Sequence, residues 1–322
     1  MAGYLNRGVW HSAERARTNA EGAFLRDDSQ FRDRVTADGA GNFKAEAGRY
    51  HLYVSLACPW AHRTLLYRAL KGLQDAIGVS VVDPVSGDEG WVFSDYPGAT
   101  PDHANGLTAL HQLYTLAQPD YSGRVTVPVL WDKASRRIVN NESADIIRIL
   151  NDAFVAFEHR AIDFYPQHLR AEIDAVNAFV YENVNNGVYR CGFATSQAAY
   201  DQAVLQLFAA LDRLEERLSR HRYLVGNRLT EADMRLFPTL VRFDAVYFIH
   251  FKCSVRRIAD YPNLSGYLRD IYQMPGVSET VNMDHIKRHY YLSHRHLNPT
   301  GIIPAGPDFD FAGRHDRQRF QE

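Results

Sequence analysis

An alternating apolar run, Tyr50-His51-Leu52-Tyr53-Val54-Ser55, gives way within three residues to Cys58-Pro59-Trp60-Ala61 and then to an amphipathic stretch holding Leu65, Leu66, Ala69 and Leu70. A period of two followed by a period near 3.6 dictates a strand running into a helix. Proline is tolerated in the first helical turn, where its missing N–H costs least, so Pro59 marks the helix start and Cys58 the residue before it. A thiol in that place sits at the positive end of the helix, where the exposed N–H groups and the macrodipole favour thiolate over thiol. Ala61 stands where a Cys-x-x-Cys redox pair has its second cysteine, so a thiolated Cys58 has no local partner to resolve it. The second thiol must come from another molecule. The competing reading is a small buried hydrophobe, the usual fate of a cysteine outside a disulfide; Pro59 and the strand before it argue against that. Cys191 and Cys253 lack such a setting and are read as structural.

A second strand, Val79-Ser80-Val81-Val82, completes a β-α-β unit with the strand at 50–55 and the helix from about 59 to 72, which favours parallel pairing. A segment containing Trp91 and a helical stretch, Leu107 to Leu116, separates this unit from Arg124-Val125-Thr126-Val127-Pro128-Val129-Leu130-Trp131-Asp132. Proline inside a strand pattern should demote it. The strand survives if Pro128 begins it after a turn, through a cis peptide bond that leaves the Val127 backbone to pair with a ligand. Arg137-Ile138-Val139 follows, and Asn140-Asn141-Glu142-Ser143 enters a helix over Ala144 to Leu150. The order β-α-β, insertion, β-β-α resembles the thioredoxin fold. From about residue 167 the period is helical throughout, as in Ala203, Leu207, Ala210, Leu211, Leu214 and Leu218, and Thr230-Glu231-Ala232-Asp233 reads as a capping box. The expected organisation is an N-terminal arm over 1–48 lying on the surface, an α/β domain over 49–155, an all-helical domain over 156–292 and an irregular tail over 293–322.

With 322 residues the chain can bury two cores, and 36 Lys plus Arg against 38 Asp plus Glu leave a net charge of −2. Such a balance recruits neither nucleic acid nor an anionic membrane, so small-molecule chemistry is the default. Three cysteines build no disulfide framework and fit a reducing, cytoplasmic setting. The first 34 residues carry no apolar core segment of a secretory signal, and no run approaches the ~20 apolar residues of a membrane span.

The α/β unit joined to a helical domain that starts a core helix with Thr-x-x-Asp resembles a glutathione transferase over about residues 50 to 290. The resemblance sharpens to the glutathionyl-hydroquinone reductases, the Xi class, on Cys58-Pro59-Trp60-Ala61-His62-Arg63, Gly90-Trp91-Val92-Phe93, Gly123-Arg124-Val125-Thr126-Val127-Pro128, Val139-Asn140-Asn141-Glu142-Ser143, Asn185-Asn186-Gly187-Val188-Tyr189 and His285-Ile286-Lys287-Arg288-His289-Tyr290-Tyr291. The closing Asn298-Pro299-Thr300-Gly301-Ile302-Ile303-Pro304 is similar too. The resemblance implies a homodimer with glutathione as co-substrate and a glutathionyl-hydroquinone as substrate.

Each part of glutathione then has an expected partner. Ser143 at a helix N-terminus suits the γ-glutamyl carboxylate and Glu142 its ammonium group. Val127, before Pro128, would exchange backbone hydrogen bonds with the cysteinyl unit as an added strand does, and Arg124 would pair with a carboxylate. An ordinary helix cap is the competing reading of Glu142 and Ser143. The resemblance implies that Trp91 walls the glutathione site, that Cys58 is the nucleophile, and that Tyr189 and Tyr290 hydrogen-bond the hydroquinone oxygens, with Tyr291 the neighbour of Tyr290. His62 and Arg63 are expected to add positive potential or to face solvent. No metal is expected: His285, His289, His294 and His296 have no acidic or thiolate ligand at zinc spacing. The alternatives are an omega-like thioltransferase or dehydroascorbate reductase, which would use Cys58 without Tyr189 and Tyr290, and a non-catalytic binding module.

Overall fold

The computed structural model describes residues 3–12 and 18–320. Four short strands precede the expected first one: β1 (Tyr4–Asn6), β2 (Val9–His11), β3 (Val35–Thr36) and β4 (Phe43–Lys44). The first pair forms an antiparallel hairpin and β3 pairs parallel with β4. Leu5, Val35 and Phe43 are buried. The described residues before β5 thus carry short strands with buried apolar side chains of their own. Two- and three-residue strands that bury one side chain or none are too short to generate a period that a sequence window can register.

β5 (Tyr50–Val54) is buried along its whole length, which requires cover on both faces. It runs through a tight turn into α1 (Pro59–Leu70), whose Pro59 sits at the helix start as expected. β6 (Gly78–Val81) returns parallel to β5. The insertion carries α2 (Leu110–Ala117), which starts three residues later than the apolar pattern indicates. The Gln112 side chain accepts hydrogen bonds from the N–H groups of Thr108 and Ala109, which fixes that start. β7 (Gly123–Arg124) adds to β1, while β8 (Val129–Asp132) and β9 (Arg137–Asn140) complete an antiparallel pair beside β5. The four-stranded order β6-β5-β8-β9, with α1 and α3 (Ser143–Asp152) packed together, is the thioredoxin-like arrangement.

The helical part contains α4 (Arg170–Val180), α5 (Gly187–Phe193), α6 (Gln197–Arg220), α7 (Glu231–Arg242), α8 (Phe248–His250) and α9 (Pro262–Tyr272). The apolar stripe Ala203, Leu207, Ala210, Leu211, Leu214 and Leu218 of α6 is buried. α7 is buried nearly all round, as a central core helix must be. At its start the Asp233 carboxylate accepts from the Thr230 N–H at 2.8 Å, the Leu224 N–H at 2.9 Å and the Tyr267 hydroxyl at 3.0 Å. α10 (Met283–Arg288) follows.

By contact the chain divides into two units that alternate along the sequence. One comprises residues 3–12, Asp28–Ile162 and Glu279–Ile303; the other comprises residues 18–27, Asp163–Ser278 and residues 304–320. Thus α10 and the residues after it as far as Ile303 group with the thioredoxin-like part. The C-terminal stretch is irregular except for the turn Arg317–Phe320, where the buried Arg317 guanidinium donates to the carbonyls of Leu218 and Arg222, both at 2.9 Å. Among the described residues no helix is long and apolar enough to cross a membrane.

Candidate active site

Cys58 is the N-cap of α1, in extended backbone conformation at φ −78° and ψ 122°. The thiol is half-buried, and Sγ lies 3.6 Å from the carbonyl oxygen of Val127. The Val127–Pro128 peptide is cis, and β8 starts at the next residue, so the strand begins after the proline rather than through it. Immediately upstream, the buried Tyr114 hydroxyl donates to the Thr126 carbonyl at 2.9 Å and accepts from the Thr126 N–H at 3.2 Å. These bonds anchor the segment that presents Val127 to the thiol. Cys191 and Cys253 are buried in the helical unit, and burial pushes the Cys253 thiol up. No disulfide links the three cysteines.

The α3 end of the site is built by residues from three places in the sequence. Glu142 is the N-cap: Oε1 accepts from the Ala144 N–H at 3.0 Å and from the Ser143 hydroxyl at 3.4 Å. Oε2 accepts from the Ser29 hydroxyl at 3.1 Å. The buried Ser143 hydroxyl accepts from Nη1 of Arg63 at 3.3 Å. Arg63 is itself 1 % exposed, and its guanidinium lies 4.4 Å from the centroid of the Trp60 ring. His62 is fully buried with Nε2 at 2.7 Å from the Thr280 hydroxyl. Neither residue faces solvent, so of the two expected alternatives the solvent-facing one does not hold. A charge inside the first turns of a helix is costly to bury without partners, and here a hydroxyl and an aromatic face receive it. Arg63 and Ser29 were not among the expected site residues. The sequence signal for Arg63 is its place five residues after Cys58, in the first turns of the helix that starts there.

Trp91 is 6 % exposed and stacks on His289, with ring centroids 4.7 Å apart and planes at 21°. His289 opens a π-helical turn, His289–Ser293, that carries Tyr290 and Tyr291. Both tyrosines are buried, and burial pushes the Tyr291 phenol up. Tyr290 packs edge-on against the rings of His289 and His294, each at 5.4 Å. Arg124 is half-buried on β7, three residues before Val127, with its carbonyl accepting from the Tyr121 hydroxyl at 3.1 Å. Tyr189 belongs to the helical unit, on α5 directly after a second π-helical turn, Tyr181–Asn185. Inserted π turns of this kind recur at functional sites. Among the described residues no group of three or more His, Cys, Asp or Glu side chains is placed to hold a metal ion.

Residues 57–153 match the glutathione S-transferase N-terminal domain family and residues 197–270 the C-terminal domain family. The glutathionyl-hydroquinone reductase YqjG of Escherichia coli is 58 % identical over 322 residues, covering 98 % of each chain. The glutathione-bound structure of that protein superposes with a TM-score of 0.91 at 56 % identity over 98 % of this chain and 99 % of its own. A Xi-class transferase from Natrialba magadii superposes with a TM-score of 0.93 at 48 % identity, over 99 % and 97 % of the two chains. The chain is a Xi-class glutathione transferase. Xi-class similarity extends well beyond the two domain families and takes in the strands before β5 and the segment after α10. An omega-like glutathione S-transferase of Schizosaccharomyces pombe is 47 % identical over 298 residues, 90 % of this chain and 95 % of the relative.

Proposed function

We propose that this Xi-class protein reduces glutathionyl-hydroquinones to hydroquinones at the expense of glutathione, with Cys58 as the nucleophile. The observation that carries the reading is the Cys58 thiol at the start of α1, 3.6 Å from the Val127 carbonyl, in a chain that ends its redox motif with Ala61. The helix N-terminus favours the thiolate. The thiolate attacks the sulfur of the aryl thioether, forming the Cys58–glutathione disulfide while the carbon–sulfur bond breaks. The electron pair of that bond stays on the ring carbon, which takes up a proton and leaves as hydroquinone. A second glutathione thiolate then attacks the mixed disulfide on the glutathionyl sulfur, giving oxidised glutathione and restoring Cys58.

Glutathione would be held by the Val127 backbone along its cysteinyl unit, by Ser143 and Glu142 at its γ-glutamyl end, by Arg124 at a carboxylate and by Trp91 as a wall. The Arg63 guanidinium behind Ser143 adds positive charge where the γ-glutamyl carboxylate would lie. The phenols of Tyr290 and Tyr189 would bond the hydroquinone oxygens and favour the ketone form of the ring, which makes attack at sulfur feasible. For Tyr290 the contact with the Trp91–His289 stack supports the role; for Tyr189 it rests on the family resemblance.

The test is to incubate the protein with a glutathionyl-hydroquinone and glutathione and to follow hydroquinone and oxidised glutathione together. Equal amounts of the two are expected. Reduction of a small glutathione mixed disulfide with no hydroquinone released would move the protein to the omega-like thioltransferase reading.

A further inference from the structure

The segment before β3 carries a second group of residues with a bearing on this chemistry. Residues 18–27 belong to the helical unit. The Asn19 side chain accepts from the Ala23 N–H at 2.8 Å, and the Gly22 N–H donates to the Asn19 carbonyl at 3.1 Å. The resulting loop is pinned at the start of α6. Thr195 N–H donates to the Gly22 carbonyl at 3.1 Å, and the Ser196 hydroxyl, from the α6 N-cap, donates to the Glu21 carbonyl at 2.8 Å. Gly22 has φ +84°, and a Cβ there would lie 2.8 Å from the Thr195 hydroxyl, so no larger residue fits while the loop stays docked.

The docked loop places two side chains on Tyr189. Phe24 stacks on its ring at 6.2 Å and 25°. The Arg26 guanidinium lies 5.0 Å from the same ring centroid, while Arg26 Nε donates to Asn186 Oδ1 at 2.9 Å, three residues earlier on the same helical stretch. Phe193, Tyr247 and Phe251 pack on Tyr189 as well, at 6.0, 6.1 and 5.4 Å. The phenol ring is thus held between the helical core and a loop from the chain's first residues.

We infer that Arg26 is a positioning residue for Tyr189, and that the loop 18–27 serves the hydroquinone half of the reaction by fixing the plane, and hence the hydroxyl direction, of that phenol. The inference rests on the reading above in which Tyr189 bonds the hydroquinone. A cation held over an aromatic face orients the ring, because the attraction is to the face and falls away at the edge. The bond to Asn186 fixes the guanidinium itself. A small disulfide substrate, which needs no ring oxygen bonded, should not sense this device.

The experiment compares Arg26→Gln, Arg26→Lys and Gly22→Val with the parent protein and with Tyr189→Phe. Turnover is followed on a glutathionyl-hydroquinone and on a small glutathione mixed disulfide, and 3-fluorotyrosine placed at position 189 reports ring position by fluorine NMR. Arg26→Gln and Gly22→Val should each lower turnover of the aromatic substrate by about 3–30-fold, the range of one cation–π contact and one hydrogen bond. Both should shift the fluorine signal and leave small-disulfide exchange unchanged, and Arg26→Lys should recover part of the loss. Equal losses on both substrates, or an unmoved fluorine signal, would overturn the inference. If Tyr189→Phe lowers aromatic turnover while the Arg26 and Gly22 variants do not, the inference falls and the function stands. If Tyr189→Phe is silent, both the role of Tyr189 and this inference fall.

Discussion

The indole of Trp91 lies face to face with the imidazole of His289, 4.7 Å between centroids. The His289 ring is held in turn: Nδ1 donates to the Pro84 carbonyl at 3.0 Å, and the Ser293 hydroxyl lies 3.3 Å from the same nitrogen. The wall proposed for the glutathione site is therefore fixed by the turn that carries Tyr290. His289→Ala should raise KM for glutathione by about 2–10-fold, the value of an aromatic pair, with kcat less affected. A glutathione titration followed by tryptophan quenching checks this, and an unchanged KM would detach Trp91 from the binding site.

Cys58→Ser should abolish hydroquinone release and leave the melting transition in place, since the half-buried side chain at the α1 N-cap makes no cap hydrogen bond. Mass spectrometry of the parent protein after one half-reaction should find glutathione on Cys58, not on the buried Cys191 or Cys253. Because Ala61 cannot resolve the disulfide, initial rates should give parallel double-reciprocal lines. Intersecting lines with no isolable adduct would instead point to a direct ternary reaction.

Tyr290→Phe and Tyr189→Phe should each slow glutathionyl-hydroquinone turnover by about 10–10⁴-fold, from loss of one hydrogen bond to loss of a general acid. Exchange on a small mixed disulfide, whose leaving thiolate needs no carbon protonation, should hold. Tyr291→Phe serves as the neighbour control. If Tyr291→Phe gives the loss and Tyr290→Phe does not, the roles of the two residues on the π turn are exchanged.

Stability should fall in acid through His51. Burial pushes its imidazole down from 6.5 to about 4, and Nε2 lies 2.8 Å from the Ser80 hydroxyl. The folded state thus disfavours the proton that the unfolded chain accepts. The contribution is fully present above pH about 6.5 and is lost as pH falls to about 4, amounting to about 3 kcal/mol. Denaturant melts across this window should show a steeper loss in the parent than in His51→Gln. Parallel curves would mean that His51 does not govern the acid limb.

The parts of this fold that were legible in the sequence are those with local causes. β5 and α1 declare themselves by a change of period and by Pro59, and Pro128 with its preceding turn announces the start of β8. Long-range pairings left no such trace. Arg63 meets Ser143 across 80 residues and Ser29 meets Glu142 across 113, and nothing in either neighbourhood names the other. Arg63 is hardest to foresee, because the default for a guanidinium on a helix is solvent. The π turns under Tyr189 and Tyr290 were invisible for another reason: one inserted residue shifts an apolar pattern by a single step, and the remaining stripe still reads as α-helix.

The alternation of the two units along the chain has a consequence for how such a protein can be altered. Residues 3–12, 28–162 and 279–303 build one unit, and 18–27, 163–278 and 304–320 the other. No single break in the polypeptide releases either one whole. A chimera joined once near residue 160 would leave the thioredoxin-like part without α10 and the helical part without the loop that covers Tyr189, so exchange between relatives would have to trade three separated pieces at a time. Crossovers placed where the chain passes from one unit to the other should yield folded hybrids where a single crossover yields insoluble ones.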